Sequence, residues 1–328
     1  MAREPRPPGE VTEVDGEVVA AVRAGLARPP RWLPPWLFYD ARGSELFTAI
    51  TRLPEYYPTR AERAIFTAAG DELMRRAAGG RPMTIFELGA GTADKTRILL
   101  GHWLPQPGGS PRVYVPVDVS ADALAVASER IGRELPGITV RPFVGRNRDA
   151  LAALRATTGR RVVLFIGSSI GNYEGAEAVA LLRGLRDALA PGDALLLGTD
   201  LVKPAEVLVP AYDDAAGVTA AFNKNVLVRL NRELGADFRI DRFRHVALWN
   251  AARSRIEMHL ESEVDQRVTI PAAGLAFTLA AGERIHTESS VKYDLPAIDA
   301  LLGEAGFARE HTATDRDGLF AVHLARAT

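Results

Sequence analysis

The sequence contains no cysteine. That excludes disulfides, thiolate nucleophiles and every metal site built on sulfur. It has no excess of either charge, since 40 lysines and arginines stand against 41 aspartates and glutamates. No basic surplus is present to neutralise a phosphate backbone, so no nucleic acid partner is expected. The six histidines are scattered and show no His-x-x-x-His pair, so no metal is expected either. Long hydrophobic runs are missing: nothing approaches the roughly 18 apolar residues of a membrane span. The opening Met-Ala-Arg-Glu-Pro-Arg-Pro-Pro is polar, and no apolar signal region follows it. The expectation is a soluble, cytoplasmic, monomeric protein that acts on a small molecule and touches no membrane.

What is present is best read outward from Thr84-Ile-Phe-Glu-Leu-Gly-Ala-Gly-Thr-Ala-Asp-Lys-Thr-Arg97. A buried strand runs into a glycine turn and then a helix. Gly89 and Gly91 allow a sharp turn and close approach of a ligand to the backbone. The helix start offers free N–H groups and a positive dipole end. A dinucleotide fingerprint would need a third glycine where Asp94 stands. A strand ending in Glu87 and followed by G-x-G-T is similar instead to the first motif of S-adenosylmethionine (SAM)-dependent methyltransferases. A plain strand-to-helix turn is the alternative.

The chain's 328 residues suit one large or two interleaved domains. Residues 1–12 are expected to be disordered. A short amphipathic helix is predicted from Val14 to Leu26. Residues 28–60, dense in aromatics and prolines, read as loop-like. A helix is predicted over 61–77. Strands at 84–88, 112–118, 138–144, 161–167 and 193–199 then alternate with helices near 94–104, 121–133, 147–157 and 175–190. Near-continuous apolar strands such as Val162–Ile166 predict an α/β fold with a doubly wound parallel sheet covered on both faces. A helical stretch follows from Tyr212 to about Leu234. Alternating segments between Phe238 and Ser290 then predict antiparallel strands, and a helix and hairpin close the chain. The expected division is a methyltransferase-like domain of 61–200 plus 284–328. A second, inserted α+β domain of 13–60 plus 201–283 would face the substrate.

Several positions carry chemistry. Asp118 ends the second strand, where a carboxylate accepts hydrogen bonds from ribose hydroxyls or, alternatively, caps a helix. Lys95 either meets a ligand carboxylate or is a solvated first-turn lysine. Asn172, in Gly167-Ser-Ser-Ile-Gly-Asn172, can hold an amine or carboxylate without adding charge, or can cap the next helix. Tyr39, Phe47, Tyr56 and Tyr57 either line a pocket or cover an edge of the core.

Taken together, several blocks closely resemble the L-histidine Nα-methyltransferases of ergothioneine biosynthesis. They are Leu37-Phe-Tyr-Asp with Gly43-Ser44, Thr51–Arg60, Glu87–Arg97, Gly167–Asn172, Gly198-Thr-Asp-Leu-Val-Lys203, Ala211–Asn223 and Thr287-Glu-Ser-Ser290. The wider family also includes methyltransferase domains for other amino acids, tryptophan derivatives among them. The resemblance implies a Rossmann-like class I SAM-dependent fold and trimethylation of the α-amine of L-histidine to hercynine. It implies that Gly89, Gly91, Lys95 and Asp118 bind SAM, with Asn147 on the adenine side and Tyr39 closing over SAM or the substrate. Tyr56, Gly167, Asn172 and Tyr212 would hold the amino acid backbone and amine. Glu288 and Ser290 would read the imidazole, with Met258 and Phe47 packed against it. Without the resemblance, Glu288 and Ser290 read as a solvated strand face and Met258 as core.

The sequence departs from the family at two places. Gly145-Arg-Asn-Arg148 replaces an acidic-aromatic pair on the adenine side, and His311-Thr-Ala-Thr-Asp315 replaces a tryptophan-containing segment. No strong general base is evident, so the amine proton would leave to water by way of Tyr56 or Asn172. Methylation of another amino acid, or SAM binding without turnover, are the alternative functions.

Overall fold

The computed structural model describes residues 15–106, 111–146 and 149–328. The 1–12 segment and Asn147, both assigned above, lie outside the described residues. The helices in chain order are α1 (Gly16–Leu26), α2 (Ala41–Ile50), α3 (Tyr57–Ala78), α4 (Thr96–Trp103), α5 (Ala121–Glu134), α6 (Ala150–Ala156), α7 (Ala176–Ala188), α8 (Ala205–Leu208), α9 (Val218–Leu234) and α10 (Leu295–Glu304). The first seven strands are β1 (Arg31–Trp32), β2 (Met83–Leu88), β3 (Arg112–Asp118), β4 (Ile138–Val140), β5 (Phe143–Val144), β6 (Arg160–Phe165) and β7 (Ala194–Asp200). The others are β8 (Phe243–Asn250), β9 (Arg255–Ser262), β10 (Gln266–Ile270), β11 (Leu275–Leu279), β12 (Arg284–Val291), β13 (Phe307–Thr314) and β14 (Phe320–Ala327).

The chain divides into two compact units. The larger comprises Pro54–Leu208, Trp249–Ile256 and Ser289–Thr328. Its sheet runs β13-β14-β7-β6-β2-β3-β4, with β5 also on β3. The strands from β7 to β4 are parallel, whereas β14 lies antiparallel to β7 and β13 antiparallel to β14. Residues such as Val162, Val163, Leu164, Leu195, Leu196 and Leu197 are fully buried. Helices α3, α4 and α5 pack on one face of this sheet, through Phe66, Leu100 and Ile131 among others. Helices α6, α7 and α10 pack on the opposite face, through Leu154, Leu182 and Leu302. Cover on both faces is the reason the strands read as continuous apolar runs.

The single strand expected over 138–144 is corrected to two. β4 and β5 both pair with β3, and the ladder stops between them at Arg141-Pro142. Proline has no N–H to donate to a ladder. The loop-like reading of 28–60 is also corrected. It contains α2 and the first turn of α3, because Asp40 accepts the Gly43 N–H at 2.7 Å and Pro58 occupies a first-turn position.

The smaller unit comprises the chain up to Leu53, Val209–Leu248 and Glu257–Glu288. Here β1 lies parallel to β12, pairing Arg31 with Ile285, and β10 and β11 form a hairpin. The four-stranded sheet runs β1-β12-β9-β8. Helix α9 begins where the Asp214 carboxylate accepts the N–H groups of Val218 and Thr219, at 3.0 and 2.7 Å. Among the described residues, no helix is long and apolar enough to cross a membrane.

Gly43 illustrates how tightly α2 is seated. A Cβ there would lie 1.7 Å from the Phe38 carbonyl oxygen. Gly43→Ala is expected to push the Phe38–Asp40 segment off α2 and to destabilise the protein by about 1–3 kcal/mol. Chemical denaturation of the variant against the parent checks this.

Candidate active site

In the larger unit, β2 and β6 are neighbours at the centre of the sheet. From β2 the chain proceeds through α4 to β3 on one side, and from β6 through α7 to β7 on the other. Ligands of open α/β sheets bind beyond the strand carboxyl ends at such a reversal. Gly89 and Gly167 follow the ends of these two strands.

The glycine turn after β2 has the geometry its sequence predicts. Gly89 and Gly91 have φ of +67° and +52°, a region that favours glycine. A Cβ built on either would meet nothing within 4 Å, so the turn faces open space. The Asp118 carboxylate buttresses it, accepting the Gly91 N–H at 2.8 Å and the Ser120 N–H at 2.9 Å. Asp118 is therefore not the cap of α5; Ser120 is, through the Ala123 N–H at 3.2 Å. Asp94, at the place of the missing third glycine, pairs with Arg63 and lies 3.7 Å from Arg97 and 3.6 Å from Arg130. Burial pushes its pKa up, but the arginines outweigh that and hold it below the usual carboxylate value.

The helix after the turn starts at Thr96, which leaves Lys95 in the cap position. The Lys95 ammonium pairs with Glu62, a carboxylate of α3 with no solvent exposure. The other oxygen of Glu62 accepts the Gly167 N–H at 2.8 Å. One buried carboxylate thus ties the loop after β2 to the loop after β6. Glu62 was not among the residues selected from the sequence. Its signal was there: it lies on the buried side of α3 with Ile65 and Phe66 at helical spacing. A charge on an apolar stripe needs a partner.

Beneath the turn, Glu87 is also buried. It accepts hydrogen bonds from Thr96 Oγ1 at 2.6 Å and from the Tyr114 hydroxyl. Burial drives its pKa up to about 7, against the pull of those two bonds and of the Lys95 charge.

The loop after β6 turns through a 3₁₀ segment, Ser169–Asn172. Asn172 ends that turn and does not cap the next helix, whose cap is Gly175. It is half-buried, and among the described residues its side-chain amide has no hydrogen-bond partner. Such an amide is available to a ligand. The turn packs on the end of β12, since a Cβ at Gly171 would sit 2.8 Å from the Val291 carbonyl and 3.5 Å from Ser290 Oγ. Lys292 Nζ then lies 2.8 Å from Ser290 Oγ and 2.9 Å from Asp200 Oδ2. The Tyr57 hydroxyl donates to Asp200 at 2.8 Å. This anchors the start of α3, where Tyr56 occupies the cap position. The larger unit therefore links Gly89, Gly91, Lys95, Asp118, Gly167, Asn172, Ser290 and Tyr56 through a chain of direct contacts.

Tyr39, Phe47, Tyr212, Met258 and Glu288 belong to the smaller unit. Tyr39 and Phe47 are half-buried, with ring centroids 5.7 Å apart, and stand 5.8 and 6.0 Å from Phe222 of α9. Next to Tyr39, Asp40 accepts from Asn225 at 2.8 Å and from Arg232 at 2.7 Å. Tyr212 is buried, and its carbonyl accepts the Nε2–H of His245 at 2.7 Å. Asn223 of α9 donates to His245 Nδ1 at 2.8 Å. Burial lowers the His245 pKa, which keeps the ring neutral in this tautomer. Helix α9 is thus the common support of Tyr39, Phe47 and Tyr212. Met258 is buried, and its carbonyl accepts the Thr287 hydroxyl at 3.0 Å. Glu288 is half-buried on β12.

The sequence profile of the family described as "Histidine-specific methyltransferase, SAM-dependent" matches residues 18–327. The chain belongs to the histidine-specific, SAM-dependent methyltransferases. It is 49% identical over 304 residues to a histidine N-alpha-methyltransferase of Mycolicibacterium smegmatis, covering 93% of each chain. It is 47% identical over 304 residues to the protein of the same description from Mycobacterium tuberculosis, again covering 93% of each. An ergothioneine biosynthesis protein of Neurospora crassa is 30% identical over 311 residues, which is 90% of this chain and 34% of that longer protein.

In this methyltransferase Glu87 gives a measurable signature. Its carboxyl has an ordinary value of 4.5 and is raised to about 7 in the fold. The folded state then binds more protons than the unfolded state between those values, so stability falls as pH rises through that window. Glu87→Gln is expected to flatten the decline in Tm between about pH 5 and 7, read by thermal unfolding across that range.

Proposed function

We propose that the chain transfers methyl groups from SAM to the α-amino group of L-histidine, three times in succession, to give hercynine, a step of ergothioneine formation. The family match over residues 18–327 carries this reading. The protein would act as a monomer in the cytoplasm on this small substrate.

The residues fit SAM on the ground of their own geometry. The Gly89–Gly91 turn faces open space, and two acceptor sites of the Asp118 carboxylate remain after its two backbone bonds. Those sites suit ribose hydroxyls. The Lys95 ammonium suits the carboxylate of the methionyl part, and Asn147 would serve the adenine side. When bound, SAM supplies a methyl group already activated by the sulfonium charge. In each transfer the C–S bond breaks, a C–N bond forms, and the amine loses a proton.

The protein's contribution is position. Asn172, the Gly167 backbone, Tyr56 and Tyr212 are proposed to hold the amine and carboxylate of histidine, with Tyr39 closing over SAM or the substrate. Asn172 and Tyr56 offer hydrogen-bonding groups rather than charge, so they orient the lone pair without protonating it. Proton loss would pass to water by way of Tyr56 or Asn172. Glu288 accepts the imidazole N–H, Ser290 completes the reading of the ring, and Met258 and Phe47 pack on it.

Incubation with SAM and each of the twenty amino acids, followed by mass spectrometry, is expected to show gains of one, two and three methyl groups on histidine alone. Methylation of a different amino acid, or SAM binding without product, would overturn the proposal. Glu288→Ala is expected to lower kcat/KM for histidine about tenfold or more, in line with loss of a charge-assisted hydrogen bond of about 1.5–3 kcal/mol. An unchanged value removes Glu288 from the site.

A further inference from the structure

Glu62 has no solvent exposure, and both of its oxygens are engaged. One accepts from the Lys95 ammonium and the other from the Gly167 N–H, at 2.8 Å. Neither partner has a lone pair to offer, so the group between them must present an acceptor on each side. A carboxylate does so. A primary amide, with one oxygen and one NH2, would set a donor against a donor in one of the two contacts.

Two glycines keep room for this pair. Gly198 lies within β7 and is not among the residues at positive φ, so its backbone angles do not call for glycine. A Cβ there would run into Glu62 Oε1 and stand 3.2 Å from the Gly167 nitrogen. A Cβ at Gly167 would stand 3.3 Å from Lys95 Nζ. Lys95 itself occupies the cap position of α4, where the helix dipole disfavours a cation. Its long flexible stem would otherwise carry the charge out into water. Its side chain is only 22% exposed, and among the described residues Glu62 is its one hydrogen-bonding partner. An ammonium has three donors, and Glu62 engages one of them.

We propose that Glu62 is a positioning residue that holds the Lys95 ammonium beside Gly167, so that its remaining donors meet the carboxylate of the methionyl part of SAM. The inference rests on the SAM reading of the Gly89–Gly91 turn given above. Helix α3 thereby takes part in favouring a ligand with an amino-acid end over a bare adenosyl thioether.

The probes are S-adenosylhomocysteine, which keeps the carboxylate, and 5′-methylthioadenosine, which keeps the adenosine and the sulfur but ends in a methyl group. Titration calorimetry on the full chain reads both affinities without turnover. The wild type is expected to bind S-adenosylhomocysteine about tenfold or more tightly than 5′-methylthioadenosine, the worth of a charge-assisted hydrogen bond. Glu62→Gln is expected to weaken S-adenosylhomocysteine about tenfold and 5′-methylthioadenosine about twofold or less, because a displaced Lys95 costs only the ligand that carries a carboxylate. Lys95→Met is expected to do the same. Adding Glu62→Gln to it is expected to change the preference little further, since two residues that act through one contact are not additive. Equal weakening of both ligands in Glu62→Gln makes Glu62 a structural tie alone and overturns the proposal. A Lys95→Met protein that keeps the wild-type preference also overturns it, and does so even if Glu62→Gln does not fold. A wild type that binds both ligands equally overturns it without any variant. Failure of the wild type to bind either ligand sinks instead the SAM reading on which the inference rests.

Discussion

The carboxylate of Glu62 is the interaction on which the candidate site of the larger unit depends. It is fully buried, and it joins the Lys95 ammonium to the Gly167 N–H. The loops after β2 and β6 come from different parts of the chain, and each contains a glycine at positive φ, Gly89 and Gly167. Glu62 gives them a common origin. A buried charge stripped of its partner costs about 3–5 kcal/mol, so the Glu62 carboxylate favours keeping both loops against α3. The position of Tyr56 at the start of the same helix follows from this anchoring and from the Tyr57–Asp200 bond.

A second buried carboxylate, Asp200, plays the matching role at the end of β7. It gathers Lys203, Lys292 and Tyr57, and through Lys292 it reaches Ser290. Burial lowers the Lys203 pKa, against the opposing pull of Asp200. Groups clustered in this way leave little freedom to the side chains they hold. In the smaller unit the same work is divided differently. Helix α9 carries Phe222, Asn223 and Asn225, which reach the Tyr39–Phe47 pair, the His245–Tyr212 bond and Asp40. A neutral histidine, rather than an ion pair, holds the Tyr212 carbonyl there.

Much of this was readable in the linear chain where a residue's role is local. The turn Gly89-Ala-Gly91 announced itself because positive φ angles favour glycine. The strand Arg112–Asp118 was readable because a strand covered on both faces is a short apolar run with a polar end. The reading failed where a local signal had two meanings. The prolines and aromatics of 28–60 suggested loop, yet Asp40 and Pro58 are helix-start residues. The run 138–144 looked like one strand until Pro142 interrupted its pairing with β3.

By itself, then, the sequence determined the doubly wound sheet, the glycine turn, the absence of cysteine chemistry and the family. The first three follow from residue type and spacing along the chain, and the family from the resemblance of whole sequence blocks. Only the tertiary structure decided what the polar residues do. It made Asp118 the support of Gly91 rather than a helix cap, left the Asn172 amide without a protein partner among the described residues, and placed Glu62 against Lys95 and Gly167 and Lys292 against Ser290. The physical reason is that a buried charge is defined by its partners. Glu62 and Gly167 are 105 residues apart in the chain, so their contact exists only after folding.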